Sequence, residues 1–367
     1  MNNINDVVFS GDYDKKKPCS SSWISSMLFR RITLVFLVAV SCLVLHKQFS
    51  SFSFPLFIPN HCSSSSSYGS SSLPMADHTI PLQGNCDSDD LESVLRAASM
   101  KDKTVILTSV NIAMAKPGFV LDVFLESFKI GNNTKKLLNH LVIITLDQKA
   151  YARCLAIHPH CFALKIQGLD LSSEAFFMTP IYLEVVWAKI HILATVLQKG
   201  YNFVFTDADV MWVRDPFPHF YEDADFCITS DAYYGNPSDR KNLPNSGFMY
   251  VKSNQRTMKF YKYWYSSRKT FPGLNDQDVF NKIKYDPFTA KLGLQMKYLD
   301  TAYFGGFCEF SKDFNKVCTM HANCCIGMER KIHDLKMVLE DWRRFMLNTT
   351  NLKPSSSFTW RAPEKCR

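Results

Sequence analysis

A short apolar run that breaks off into two carboxylates, Phe203-Val204-Phe205-Thr206-Asp207-Ala208-Asp209, constrains this chain more than any other segment. It follows directly on residues 181–199, where Leu183, Val186, Ile190, Leu193 and Leu197 recur on one helical face and Gly200 ends the pattern. A helix feeding at once into a buried strand is the repeating unit of an α/β fold. Carboxylates at i and i+2 leave a strand end on the same side. There both can address one hard divalent cation; Mg²⁺ and Mn²⁺ prefer such oxygen ligands and share them with phosphates. The carboxyl end of a parallel strand is also where an open α/β sheet places its ligands. A polar turn after a buried strand accounts for the same residues without any ligand.

The rest of the chain repeats the alternation. Strand patterns at residues 104–110, 141–146 and 162–166 are interleaved with helical spacing at 118–129 and from Tyr151 onward. This predicts a single α/β domain whose mostly parallel central sheet is flanked by helices. Later strands are expected at 226–229 and 248–251, and shorter ones at 296–299 and 317–321. Helices are expected at 254–268, at 276–284 with Asn275 as N-cap, and at 332–344. Ser246-Gly247, opening a strand, suits a close backbone approach.

The net charge of +8 is diffuse, and Lys15, Lys16, Lys17, Arg30 and Arg31 precede the folded part. No basic block with interleaved aromatics is present, which argues against nucleic-acid binding. Residues 32–45 (ITLVFLVAVSCLVL) form an uninterrupted apolar run behind Arg30-Arg31. As a helix it spans about 21 Å, short of a hydrocarbon core of about 30 Å. With Lys and Arg on its N-terminal side, the run reads as a single-pass anchor at 32–47. Residues 1–31 would then be a disordered cytosolic tail, and the rest would lie in a lumen. A cleaved signal peptide is the competing reading. The Ser-rich residues 48–90 read as a flexible stem, and 91–367 as the folded domain.

Of twelve cysteines, ten fall after the anchor. Without paired C-x₂-C knuckles they point to disulfides in an oxidising compartment rather than to zinc. Cys154 and Cys161, either side of His158-Pro159-His160, are the first pair expected. Asn132-Asn133-Thr134 and Asn348-Thr349-Thr350 match glycan acceptor sites.

Four motifs occur in order: FTDADVMWVRDPF at 205–217, NSGFMYV at 245–251, NDQDVFN at 275–281, and HANCCIG at 321–327 with Lys331 behind it. On these, residues 104–344 resemble the plant nucleotide-diphospho-sugar transferases of glycosyltransferase family 77. The resemblance implies a GT-A-like fold, a UDP-sugar donor, Mn²⁺ or Mg²⁺, and retention of anomeric configuration. The anchor and stem likewise resemble a type II Golgi membrane transferase. Similar enzymes add pentoses such as arabinose or xylose to cell-wall glycans or glycoproteins, and no residue here selects one donor.

Under that resemblance Asp209 is the first metal ligand, Asp207 contacts the ion or the donor ribose, and His321 completes the metal site. Thr108, Lys189, Asn245, Gly247, Gly327 and Lys331 become donor-binding candidates alongside Asp207. Asp276, Gln277 and Asp278 become catalytic candidates, since a carboxylate there would stabilise an oxocarbenium-like centre.

Each residue also has a plainer reading. The aspartates can satisfy a turn, His321 can be a core histidine, and Lys331 a solvated helix lysine. The acidic residues of 276–278 can serve a helix dipole at about 0.5 kcal/mol each. Trp212, Arg214 and Asp215 read as bracing for the loop. Haloacid-dehalogenase-type phosphatases also carry Asp-x-Asp after an apolar strand, but require Thr or Val where this chain has Met211. A catalytically silent nucleotide-sugar binder in a Golgi complex is the remaining alternative.

Overall fold

A computed structural model describes residues 86–165, 171, 175–350 and 358–366. The tail and anchor, and the stem up to residue 85, lie outside the described residues.

β1 (Thr104–Val110), β2 (Leu141–Thr145), β3 (Cys161–Ala163) and β4 (Asn202–Thr206) pair in parallel, in the spatial order β3-β2-β1-β4. Their side chains divide between two cores by the period of two that a pleated strand imposes. Ile106, Ile143 and Val204 enter one core, while Val105, Leu107, Val142, Phe203 and Phe205 enter the other. With both faces covered, the strands read as continuous apolar runs rather than alternating ones.

β5 (Val210–Trp212) leaves this sheet, which continues from β4 through β6 (Phe226–Ala232), β7 (Leu243–Val251) and β8 (Met296–Tyr298) in the order β4-β7-β6-β8. β7 runs antiparallel to both β4 and β6, and β8 is parallel to β6. Six of the seven strands therefore share one direction, as expected. β7 starts well before the expected 248, so Asn245, Ser246 and Gly247 lie within a strand rather than in a turn ahead of it. The β6–β7 ladder slips there: Ile228 pairs with Met249 but Thr229 with Asn245. Such bulges re-aim side chains. A second small sheet, unforeseen in the sequence, joins β5 to β9 (Phe304–Gly306) and β10 (Thr319–His321) in the order β5-β10-β9.

Helices cover both faces. On one side lie α1 (Cys86–Ala98), the long α5 (Pro180–Gln198), α6 (Gln255–Ser267) and α7 (Asp276–Ile283). The other carries α3 (Val120–Ile130), α4 (Gln148–Ile157) and α9 (Met328–Thr350), with the short α2 (Ile112–Ala115) leading into α3. A short α8 (Pro287–Lys291) precedes β8. α5 begins with Thr179 accepting from the Tyr182 N–H and Pro180 in the first turn, the arrangement Pro and Thr favour at a helix start. Among the described residues it alone is long and apolar enough to cross a membrane, and it packs in the domain core.

Among the described residues three disulfides close loops: Cys154–Cys161, as expected, Cys308–Cys324 and Cys325–Cys366. Cys227 and Cys318 are buried free thiols. Asn132 of the first glycan motif bridges to Arg214, and the Thr134 hydroxyl is buried on the Phe128 carbonyl.

Candidate active site

The sheet reversal at β7 builds the site. Because β7 runs against β4, its first half lies beside the carboxyl end of β4, and the Asp207 N–H donates to the Gly247 carbonyl at 2.7 Å. The chain turns through Asp207-Ala208-Asp209, with Val210 N–H donating back to Asp207 O, and enters β5. Trp212 pins that strand: it is fully buried, stacks on Phe128 at 4.6 Å, and donates through its indole N–H to Thr206. Arg214 caps the carbonyls of Phe314 and Val317, so the bracing expected of these residues is observed. β10 then pairs with β5 so that His321 faces Val210, and Ala322 N–H donates to Asp209 O. That register delivers His321 Nε2 to 3.2 Å from Asp209 Oδ1. Lys331, in the first turns of α9, places Nζ 2.7 Å from Asp209 Oδ2.

Ligand atoms of Asp207, Asp209 and His321 all lie within 4.8 Å of one another, a spacing that can hold one metal ion. Two carboxylates and an imidazole make a donor set suited to Mn²⁺ or a similar ion. Gly247 keeps this corner open. A Cβ there would come within 2.5 Å of His321 Cε1 and 2.7 Å of Asp207 Oδ2.

The two carboxylates differ electrostatically. Burial raises Asp207 to about 6; Lys189 opposes the rise and Asp209 adds to it. Burial also works against the Asp209 charge, but Lys331 and His321 overcome it and hold that carboxyl far below the ordinary range.

Beside this cluster, Lys189 of α5 and Asp276 of α7 form an ion pair at 2.6 Å, both almost wholly buried. Burial disfavours the lysine charge, yet Asp276 and Asp207 outweigh it and raise its pKa. Lys189 Nζ also lies 3.5 Å from Ser246 Oγ. Gln277 accepts from the Ser246 N–H and donates to Asp231. Asn245 accepts from the Gly247 N–H. Asn275 caps α7 by accepting from Asp278 N–H, as expected.

Asp207, Asp209, His321, Lys331, Lys189, Asn245, Gly247, Asp276 and Gln277 are therefore drawn to one edge of the sheet. Three candidates stand apart from these contacts. Thr108 is fully buried in β1 with no hydrogen-bond partner for its hydroxyl. Gly327 adopts φ +98 just before α9, where its carbonyl accepts from Lys331 N–H. Asp278 is exposed on α7, and partial burial followed by Asp276 raises its pKa.

Sequence reasoning missed Asp231, Asn323 and Tyr182. The Tyr182 phenol is raised by burial first and then by Asp276 and Asp207, which places it at the same edge. Asp231 had a legible signal, a carboxylate ending the apolar run of β6, much as Asp207 ends that of β4.

The mixed α/β sheet thus carries a carboxylate pair at a strand end, and His321 and Lys331 from the C-terminal region complete the cluster. The chain belongs to the nucleotide-diphospho-sugar transferase family, which matches residues 136–335, and it is a glycosyltransferase of the family 77 type expected from the four motifs. An uncharacterised protein of Arabidopsis thaliana is 47% identical over 281 residues, 76% of this chain and 74% of its own length. A second from the same plant is 39% identical over 271 residues, 72% and 81% of the two chains. An Arabidopsis thaliana UDP-D-xylose:L-fucose alpha-1,3-D-xylosyltransferase is 23% identical over 287 residues, 72% and 77%.

Proposed function

We propose that the protein transfers a pentose such as arabinose or xylose from a UDP-sugar to a cell-wall glycan or glycoprotein acceptor, with a divalent cation and with retention. The observation that carries this reading is the convergence of Asp207, Asp209 and His321 at the carboxyl edge of the sheet. A bound Mn²⁺ or Mg²⁺ would neutralise charge developing on a departing diphosphate. Those three side chains would hold it.

The remaining roles belong to the chain's own groups. Lys331 already sits on Asp209 and is positioned to pair with phosphate oxygens. Gly247 permits the close approach that a side chain would block. The Lys189–Asp276 pair and Gln277 form the part of the site assigned to the transferred sugar, with Asp276 as the stabilising carboxylate.

The pentose is supported by the xylosyltransferase relative and by an Arabidopsis thaliana beta-arabinofuranosyltransferase, 27% identical over 46% of this chain and 31% of its own. A type II Golgi membrane location, with residues 32–47 as anchor and the catalytic domain luminal, is supported by Arg30-Arg31 ahead of the apolar run and by three disulfides.

UDP release across UDP-xylose, UDP-arabinose, UDP-galactose and UDP-glucose tests the reading, with Mn²⁺, with Mg²⁺ and with chelator. Release with a pentose donor that chelation abolishes is expected, and NMR of the product should show the donor's anomeric configuration. Metal-independent release, or none with any donor, would contradict it.

A further inference from the structure

Asp231, next to last in β6, lies outside every motif read from the sequence, yet side-chain amides from three separate elements donate to it. Asn245 Nδ2 on β7 and Asn323 Nδ2 after β10 reach its Oδ1 at 2.8 and 2.7 Å. Gln277 Nε2 on α7 reaches its Oδ2 at 3.0 Å. An ionised carboxylate only accepts, so all three amides must turn their nitrogens toward it. Each amide oxygen in turn accepts from one backbone N–H. Gly247 donates to Asn245 Oδ1, Ser246 to Gln277 Oε1, and Cys308 to Asn323 Oδ1. Packing agrees, because a Cβ on Gly306 of β9 would collide with the Asn323 amide.

We propose that Asp231 is the positioning residue of this site, fixing the Asn245, Gln277 and Asn323 amides so that their oxygens face the sugar hydroxyls. The inference rests on the transferase reading above. An amide oxygen has two lone pairs, and one backbone N–H occupies only one of them. The second accepts from a hydroxyl. A flipped amide would present two donors instead and would compete with the same hydroxyl for an acceptor. Asp231 need not touch the substrate to do this. It decides which way three groups point, and its position where β6, β7, α7 and the loop after β10 meet lets one carboxylate do so.

The test uses the full-length protein. Asp231→Asn keeps the side-chain size but sets an NH₂ against donor groups. It should lower the kcat of sugar transfer roughly 100-fold, the cost of misplacing substrate-orienting groups. UDP affinity in Mn²⁺ should stay near the wild-type value. Asp231→Glu, still acceptor-only, should recover part of the loss, and Gly306→Ala, which displaces Asn323 from behind, should lower kcat by a smaller factor. The side-chain NH₂ signal of Gln277, which alone of the three uses Oδ2, should lose exchange protection in ¹⁵N-labelled Asp231→Asn. Wild-type kcat in Asp231→Asn, kcat and UDP affinity falling together, or unchanged amide protection would each overturn the inference. Wild-type protein that turns over no UDP-sugar would sink the transferase reading instead, and amide protection would still decide the orientation claim.

Discussion

The cluster of Asp207, Asp209 and His321 and the pair of Lys189 with Asp276 share one edge of the sheet, yet their charges are balanced in opposite ways. Lys189 and Asp276 neutralise each other inside the protein, at 2.6 Å and almost without solvent. The strand-end cluster is not self-sufficient. Lys331 and His321 both turn to Asp209, while burial outweighs the opposing Lys189 charge at Asp207 and, with the like charge of Asp209, lifts its pKa to about 6. A buried carboxylate in that condition is one whose ionised form a divalent cation would favour. The difference separates a prebuilt wall from a place made for an ion.

Breaking the prebuilt wall should have the largest effect. Asp276→Ala leaves Lys189 buried without its counter-ion, and loss of one partner from a buried pair costs about 3–5 kcal/mol. The exposed Asp278→Ala, two residues away, should change stability by less than about 0.5 kcal/mol. Chemical denaturation of both variants checks this. Similar small losses in the two would mean the pair is not the support described.

Disulfides sharpen the comparison next, because two of them flank the loop that follows His321. Cys308–Cys324 and Cys325–Cys366 close loops of 16 and 41 residues, and a closure of the shorter kind contributes about 3 kcal/mol. Removing Cys308–Cys324 by paired Ala substitutions should lower both stability and UDP–Mn²⁺ affinity. Removing Cys154–Cys161, under β2 and β3, should lower stability by about 2–3 kcal/mol and leave affinity unchanged. Equal affinity losses would erase the distinction.

The smallest effect is electrostatic. Asp207 has a folded pKa of about 6 against an ordinary 3.8. The folded protein thus keeps a proton that the unfolded chain has released, and stability falls as pH rises between those values. Asp209, with its pKa lowered, acts in reverse: its contribution is present above the ordinary value and is lost as pH drops below it. Denaturation of metal-free protein from pH 4 to 7 should show the Asp207 decline, and Asp207→Asn should flatten it. An unchanged profile in that variant would mean Asp207 carries no such shift.

These contrasts were unequally legible in the sequence. The turn after β4 could be read because an apolar run of buried strand type stops at two carboxylates, a local pattern. β7 was read too short because Leu243-Pro244-Asn245 has turn composition, and only pairing with β6 makes it strand. β5 and β9 are three residues long, too short for any periodicity to declare them, whereas β10 falls inside the strand expected at 317–321. His321 and Lys331 were reached through motif resemblance, since register between β5 and β10, not local sequence, brings them to Asp209. The Lys189–Asp276 pair joins two helices far apart in the chain. Nothing near either residue announces the other. Asp231 did carry a local signal, a carboxylate after an apolar run, but the three amides that give it meaning come from other elements.

Calorimetric titration of Mn²⁺ and UDP into wild-type, Asp209→Ala and His321→Ala protein tests the central claim most directly. Each variant should lose Mn²⁺ and UDP affinity together, while His321→Ala leaves the thermal midpoint of the metal-free protein nearly unchanged, because a ligand to a bound group stabilises only the bound state. Unaltered affinities in both variants, with a large fall in metal-free stability for His321→Ala, would return these residues to the core and contradict the account.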